Sequence, residues 1–271
     1  MHMLITLLAG VIPREIGNLY NLETLSLGWN NLTGSIPVEI FNLSRVTLMS
    51  LAGNQLSGNL PSTVFYGLPN LEQLYLNSNY IVGDLPESIT NSSKLLVVTV
   101  SDNFFTGHIP ISLGNLIHLQ VLDLGSNKLV TDFSHPETSF ISSLANSKNL
   151  RTLAVNGNPL NGILPESVGN LSSSLERLYA YRCNLQGKVP DGIGNLSSLF
   201  ILSLYVNQLT GPLPITIQRL QNLQAIVLYM NKLNQLSLDY FCTFTKLGAI
   251  ILGQNQISGA VPDCLENVTS L

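Results

Sequence analysis

Charge is what this sequence has least of. Asp, Glu, Lys and Arg together make up 10% of its 271 residues, where an average soluble domain carries roughly 25%. The 12 basic residues are scattered and the net charge is −4. That argues against a nucleic-acid partner, because neutralising phosphates takes clustered Lys and Arg. No run reaches the roughly 20 apolar residues that a helix needs to cross a bilayer, so no membrane contact is expected of this segment itself. Three cysteines are too few to build a fold from disulfides. The apolar start, Met1 to Ala9, has no basic flank and runs straight into a periodic pattern that occupies the remainder of the chain. It therefore reads as a truncation or an internal start and not as a signal peptide.

The spacings that carry chemistry are missing as well. There is no Gly-x-x-x-x-Gly-Lys phosphate loop, no His-Glu-x-x-His, no Gly-x-Ser-x-Gly and no Cys-x-x-Cys. The four histidines, His2, His108, His118 and His135, sit in different registers of the chain, so they do not converge on a metal. Asp102 and Asp123 fall on neighbouring strands of the pattern and could face the same way. On an open surface such carboxylates stay solvated, since burial is what shifts them towards acid–base work. The expectation is a binding surface without catalytic residues, cofactor or metal.

What the sequence has in abundance is a period. With Asn30 as marker, Leu22, Leu25 and Leu27 precede it, and Leu32, Gly34, Ile36-Pro37 and Ile40 come after it. The frame recurs on Asn54, Asn79, Asn103, Asn127, Asn158, Asn207, Asn231 and Asn255, with Cys183 in the marker's place once. This gives a half repeat over 8–21 and ten repeats over 22–270, the coil over 119–149 being longer than the rest. The pattern predicts a single α/β-repeat solenoid over 1–271, with a curved parallel β-sheet on the concave face and short 3-10 or irregular segments outside. Leu-x-x-Leu-x-Leu is a strand whose apolar positions alternate inward. The marker Asn, with one acceptor and two donors on a short stem, can satisfy backbone groups buried by the turn after it. By the same logic Cys183 is a small buried group.

The phrases Leu32-Thr33-Gly34-Ser35-Ile36-Pro37, Ile109-Pro110 with Gly114-Asn115-Leu116, and Val189-Pro190 with Gly194-Asn195-Leu196 resemble the plant-specific class of leucine-rich repeats. That class occurs in extracellular domains of receptor-like kinases, receptor-like proteins and polygalacturonase inhibitors. The longer coil, with Phe140-Ile141-Ser142-Ser143-Leu144-Ala145-Asn146, is similar to one in a receptor-kinase subfamily that includes immune receptors. The resemblance implies a peptide or protein ligand, an LRR co-receptor, and a kinase lying outside this chain. It places the parent protein on the extracellular side of the plasma membrane, or secreted. Such receptors carry cysteine-bearing caps and a membrane span, which this sequence lacks; the expectation is a fragment without N- or C-terminal caps.

An extended concave sheet is where such a fold binds. Its exposed strand positions hold Tyr179, Tyr181, Arg182, Tyr205, Tyr229 and Met230, with Arg177 just ahead, within three adjacent coils. Tyr and Arg are enriched where proteins bind proteins, so these residues form the candidate ligand site, with Trp29 and Tyr75 as outlying candidates. Ser101 and Ser203 fall at positions of the same kind and are expected to be exposed too. The middle coils, with Gly125, Ser126, Ala154 and Gly157, read as bare. Six sequons, at Asn31, Asn42, Asn91, Asn170, Asn195 and Asn267, mostly fall on the outer turn, where a glycan would leave strand pairing intact.

Two functions compete. One is ligand recognition in a receptor-like kinase ectodomain, in immune or developmental signalling. The other is a secreted LRR inhibitor of a microbial cell-wall-degrading enzyme that uses the same face. Cys242 and Cys264 are 22 residues apart, close to one coil, and adjacent coils could bring their Cα atoms within the roughly 4.4–6.8 Å that a disulfide needs. Mass spectrometry of secreted, unreduced protein is expected to find their peptides linked; free thiols at both positions would overturn the pairing.

Overall fold

The computed structural model describes residues 7–131, 140–234 and 238–267. Every coil opens with a strand of three residues, the first Thr24–Ser26, the next Leu48–Ser50, the last Ala249–Ile251. Ten of these strands pair in parallel and in chain order to form one sheet. The register is constant: Leu25 lies beside Met49, Met49 beside Leu74, Leu178 beside Leu202. The central residue of each strand therefore points into the solenoid, and those named are almost wholly buried. The residues on either side of it face the concave surface, as a two-residue period requires.

The parallel ladder runs past the strand. Leu27 N donates to Ser50 O at 2.8 Å and Trp29 N to Ala52 O at 2.7 Å. The chain then turns at a residue in the left-handed region. That residue is Trp29, Ser78, Asp102, Ser126, Arg182, Val206, Met230 or Gln254, with φ between 52° and 58°, and Gly53 or Gly157 in the two other coils. A left-handed non-glycine residue costs roughly 1–2 kcal/mol, so the turn needs bonds from elsewhere to hold it.

The marker asparagine supplies them. Asn103 Nδ2 donates to Val100 O and Ser101 O in its own coil, both at 3.1 Å, and to Leu76 O in the preceding coil at 3.0 Å. Its Oδ1 accepts Ile81 N at 3.0 Å, again from the preceding coil. Asn54, Asn79, Asn127 and Asn231 repeat the arrangement and are all buried. Each amide thus closes one turn and clamps it to its neighbour.

The residues after the marker build a second element that the repeat pattern did not announce. They are not irregular: strands Asn31–Ser35, Gln55–Asn59, Tyr80–Asp84 and Phe104–Thr106 continue a sheet of five begun by Ala9–Val11, and a sheet of four runs from Gly162–Ile163 to Lys232–Leu233. Between the two, among the described residues, only the bridge His108–Val130 is made. The break has a local cause. Pro159 comes directly after the marker Asn158 and has no N–H to give. Leu160 N, which would reach for the next coil's amide oxygen, finds Cys183 there and donates instead to Asn158 O at 2.7 Å.

The outer side is made of short 3-10 turns, most of them opened by proline, such as Pro37 ahead of Val38–Asn42. The glycine of the Gly-Asn-Leu phrase sits where coils touch: a Cβ on Gly194 would come within 2.3 Å of Thr216 O. In the longer coil, the turns Phe140–Ser143 and Leu144–Asn146 return Phe140 and Leu144 to the core.

Replacing Asn103 with alanine strands buried backbone groups in two coils at about 1–3 kcal/mol each. Chemical denaturation is expected to register a loss of about 3 kcal/mol or more, with the exposed outer-turn substitution Asn115→Ala within about 0.5 kcal/mol of wild type. Equal effects at the two sites would remove the ladder from its central role.

Candidate functional site

The concave sheet brings six of the candidate residues together. Tyr181, Tyr205 and Tyr229 occupy the same position in three successive coils, two residues before the marker. Strands about 4.8 Å apart set their rings into a stack: 4.2 Å between centroids for the first pair and 4.8 Å for the second, with interplanar angles of 10° and 11°. Burial, and then the neighbouring Tyr205, push the Tyr181 phenol above its ordinary pKa, so it is a hydrogen-bond donor at neutral pH. Tyr179 lies beside the stack, half-buried on its strand. Arg182 and Met230 take the left-handed position after the stack, which throws both side chains into solvent.

Arg177 is differently placed. It begins its strand, with its guanidinium 4.5 Å from the Phe200 ring and 3.4 Å from Glu176, which also pairs with Arg151 at 3.3 Å. Trp29 and Tyr75 stand apart from the cluster. Trp29 is six coils from Tyr181, roughly 30 Å at strand spacing; it is 73% exposed and lies over Gly53. Tyr75 is half-buried, its hydroxyl donating to Gln73 Oε1 at 2.8 Å.

Two expectations for the concave face need correcting. Ser101 and Ser203 occupy positions expected to be exposed, but both are buried. Ser203 lies in register between Tyr179 and Val227, whose larger side chains rise past it. Asp123 and Asp102 are not equivalent neighbours either. Asp123 ends a strand beside Thr99, while Asp102 sits in the exposed left-handed turn. Asp123 is not simply solvated: it is half-buried, it accepts Ser101 Oγ at 2.9 Å and Gly125 N at 3.0 Å, and burial raises its pKa despite those bonds. The signal was the run of small residues around it, which lets the sheet sink there.

Cys183 stands in the ladder. Its Sγ lies 3.3 Å from Tyr181 O and 3.4 Å from Val155 O, in the place of an amide donor, while Asn207 Oδ1 accepts both Cys183 N and Leu185 N at 3.0 Å. Cys242 and Cys264 belong to adjacent outer turns and are joined, with Cα atoms 5.6 Å apart. Asp239 lies near them, but thiols engaged in a disulfide are not metal ligands. Of the sequon residues, Asn42, Asn91, Asn170 and Asn195 each end an outer 3-10 turn and are exposed. Asn31 instead opens a strand of the flanking sheet, also exposed. The side chain of Asn267 lies outside the described residues. Among the described residues no helix is long and apolar enough to cross a membrane.

A continuous parallel sheet lined by repeating turns, with an aromatic cluster on its concave side, defines a leucine-rich-repeat solenoid. The Leucine Rich Repeat family model matches at residues 21–43, 70–92, 149–171 and 174–196. Receptor kinase-like protein Xa21 of Oryza sativa subsp. japonica is 40% identical over 86 residues, covering 32% of this chain and 8% of that protein. The solved plant peptide hormone receptor RGFR1, in complex with RGF2, superposes with a TM-score of 0.82 at 29% identity, over 97% of this chain and 45% of that one. The Arabidopsis receptor kinase HAESA, in complex with the peptide hormone IDA and the co-receptor SERK1, gives 0.76 at 26% identity, over 97% and 47%. The aligned part spans under a tenth of the curated relative and about half of the solved chains. The chain is a leucine-rich-repeat solenoid, similar to plant LRR receptor kinases over short stretches of sequence and to solved plant receptor ectodomains in fold.

Burial pushes the Cys183 thiol from its ordinary pKa near 9 up to about 12. The folded state therefore holds a proton that the unfolded state gives up between those values, so this group's contribution is intact below pH 9 and lost as pH climbs towards 12. Native protein at about pH 8 is expected to leave Cys183 unalkylated by iodoacetamide, with full labelling after denaturation. Stoichiometric labelling of the native chain would contradict its burial.

Proposed function

We propose that this chain is the ligand-recognition segment of a plant receptor-like kinase ectodomain and binds a peptide or protein ligand on its concave sheet. The observation that carries the reading is the stack of Tyr181, Tyr205 and Tyr229. Rings already packed on one another lose little freedom on binding, so an anchor of this kind costs less than mobile side chains would. Arg182 and Met230 flank the ridge with a charge and an adaptable apolar contact. RGFR1 and HAESA, which share the fold, are described with peptide hormones, and HAESA with a co-receptor; the same two kinds of partner are proposed here. Signalling would fall to a kinase elsewhere in the parent protein, with this segment on the extracellular side of the plasma membrane.

The outer turns support that setting. Glycans on Asn42, Asn91, Asn170 and Asn195 would project from the side opposite the concave sheet, and one on Asn31 from its margin. The Cys242–Cys264 link suits an oxidising compartment.

A random dodecapeptide display library selected against the chain supplies ligands for the test. The double substitution Tyr181→Ala/Tyr205→Ala is expected to weaken the selected peptides at least about tenfold, in line with the loss of aromatic hot spots, with little change in melting temperature. If that variant binds as wild type while Trp29→Ala or Tyr75→Ala abolishes binding, the site lies at the other end of the sheet.

A further inference from the structure

The coils that read as bare are not featureless. The last residues of four successive paired strands are Thr99, Asp123, Ala154 and Tyr179. Two residues further along each coil come Ser101, Gly125, Asn156 and Tyr181. Ala154 raises almost nothing above the backbone, and the Asn156 amide lies low over Gly125, so the surface dips above Ala154 between a carboxylate on one side and aromatic rings on the other. The result is a recess of about 360 Å³ with Thr99, Ser101, Asp123, Ala154, Tyr179 and Tyr181 in its walls.

We propose that this recess is a subsite for an arginine side chain of the ligand, held by ion pairing to Asp123 and by stacking against the tyrosine wall. The inference rests on the peptide-binding function proposed for the concave sheet and names one chemical requirement of the ligand. Asp123 receives one hydrogen bond on each oxygen, and a carboxylate oxygen can accept more than one. None of the ion pairs among the described residues includes it. Tyr181 has one face against Tyr205; its other face is turned towards the coil of Asn156, where the recess opens.

Spacing decides which cation fits. Asp123 and Tyr179 are two strands apart, about 10 Å, and an occupant above Ala154 lies one strand from each. A guanidinium there can donate to the carboxylate in fork geometry and lie within about 6 Å of a ring at once. An ammonium is more strongly hydrated and has no plane to stack. A metal ion would find only the carboxylates of Asp102 and Asp123, and among the described residues no group of three metal-ligating side chains gathers there.

The test uses the same dodecapeptide library, selected against wild type, Asp123→Asn and Ala154→Leu, the last of which fills the recess and leaves the carboxylate in place. Wild type is expected to enrich arginine at one peptide position. Changing that arginine to citrulline, its neutral isostere, should weaken binding about tenfold, and changing it to lysine should also weaken it. The citrulline penalty should vanish on Asp123→Asn, and Ala154→Leu should lose the arginine preference while still binding peptides along the tyrosine ridge. Selected peptides without arginine enrichment, or a citrulline penalty unchanged in Asp123→Asn, overturn the arginine subsite and leave peptide recognition standing. A wild-type chain that enriches no peptide at all overturns both.

Discussion

A side-chain amide at the turn of every coil but that of Cys183 is the constraint on which this structure depends. The sheet forces each coil to leave its strand through a left-handed residue, and that turn buries carbonyls that water cannot reach. An asparagine side chain is short enough to reach carbonyls of its own coil and a carbonyl and an N–H of the coil before it. Local turn and long-range stacking are thus closed by a single side chain. This explains how residues as unsuited as Val206 and Trp29 are tolerated at the turn: the bonds made by the adjoining amide outweigh roughly 1–2 kcal/mol of strain.

The same constraint explains what could be read from the sequence. Asn30, Asn54, Asn79 and their successors sit at a fixed distance from the strand leucines because geometry permits no other distance, so period, strand and buried face were all legible. The flanking sheets were not. They are made largely by backbone pairing of Asn31–Ser35 and its equivalents, and their exposed residues obey no alternation that a one-sequence reading could weigh. The tyrosine stack was legible because the frame assigns Tyr181, Tyr205 and Tyr229 to one column. The recess beside it was missed because it is built from absence: Gly125 and Ala154 read only as bare until Ala154 is seen to lie between a carboxylate and a ring. Ser101 and Ser203 show the converse, where exposure depends on the height of neighbours and not on position alone.

Function and fold are separable here to an unusual degree. The inward positions are committed to stacking, and the outward strand positions form a grid in which any coil can carry any side chain at little cost to the core. A cluster of three tyrosines on such a grid is not required by the scaffold; alanine or serine fill the same column elsewhere, at Ala52 and Ser101. The outer turns show a parallel division of labour. Gly194 is fixed by its contact with Thr216, while Asn195 beside it is exposed and open to modification.

The interruption of the flanking sheet at Pro159 and Cys183 has a mechanical meaning. Elsewhere two rows of backbone hydrogen bonds run the length of the solenoid side by side, like the two rails of a track, and a body held by two rails resists bending and torsion far better than one held by a single rail. Across the coil of Asn158, among the described residues, no flanking strand pair joins it to the coil before, and the concave sheet and the hydrogen-bonded outer turns carry the joint. The segments on either side carry different surfaces: the recess wall of Thr99, Ser101 and Asp123 on one, the tyrosine ridge on the other. A ligand spanning both would read the angle between them as well as the side chains.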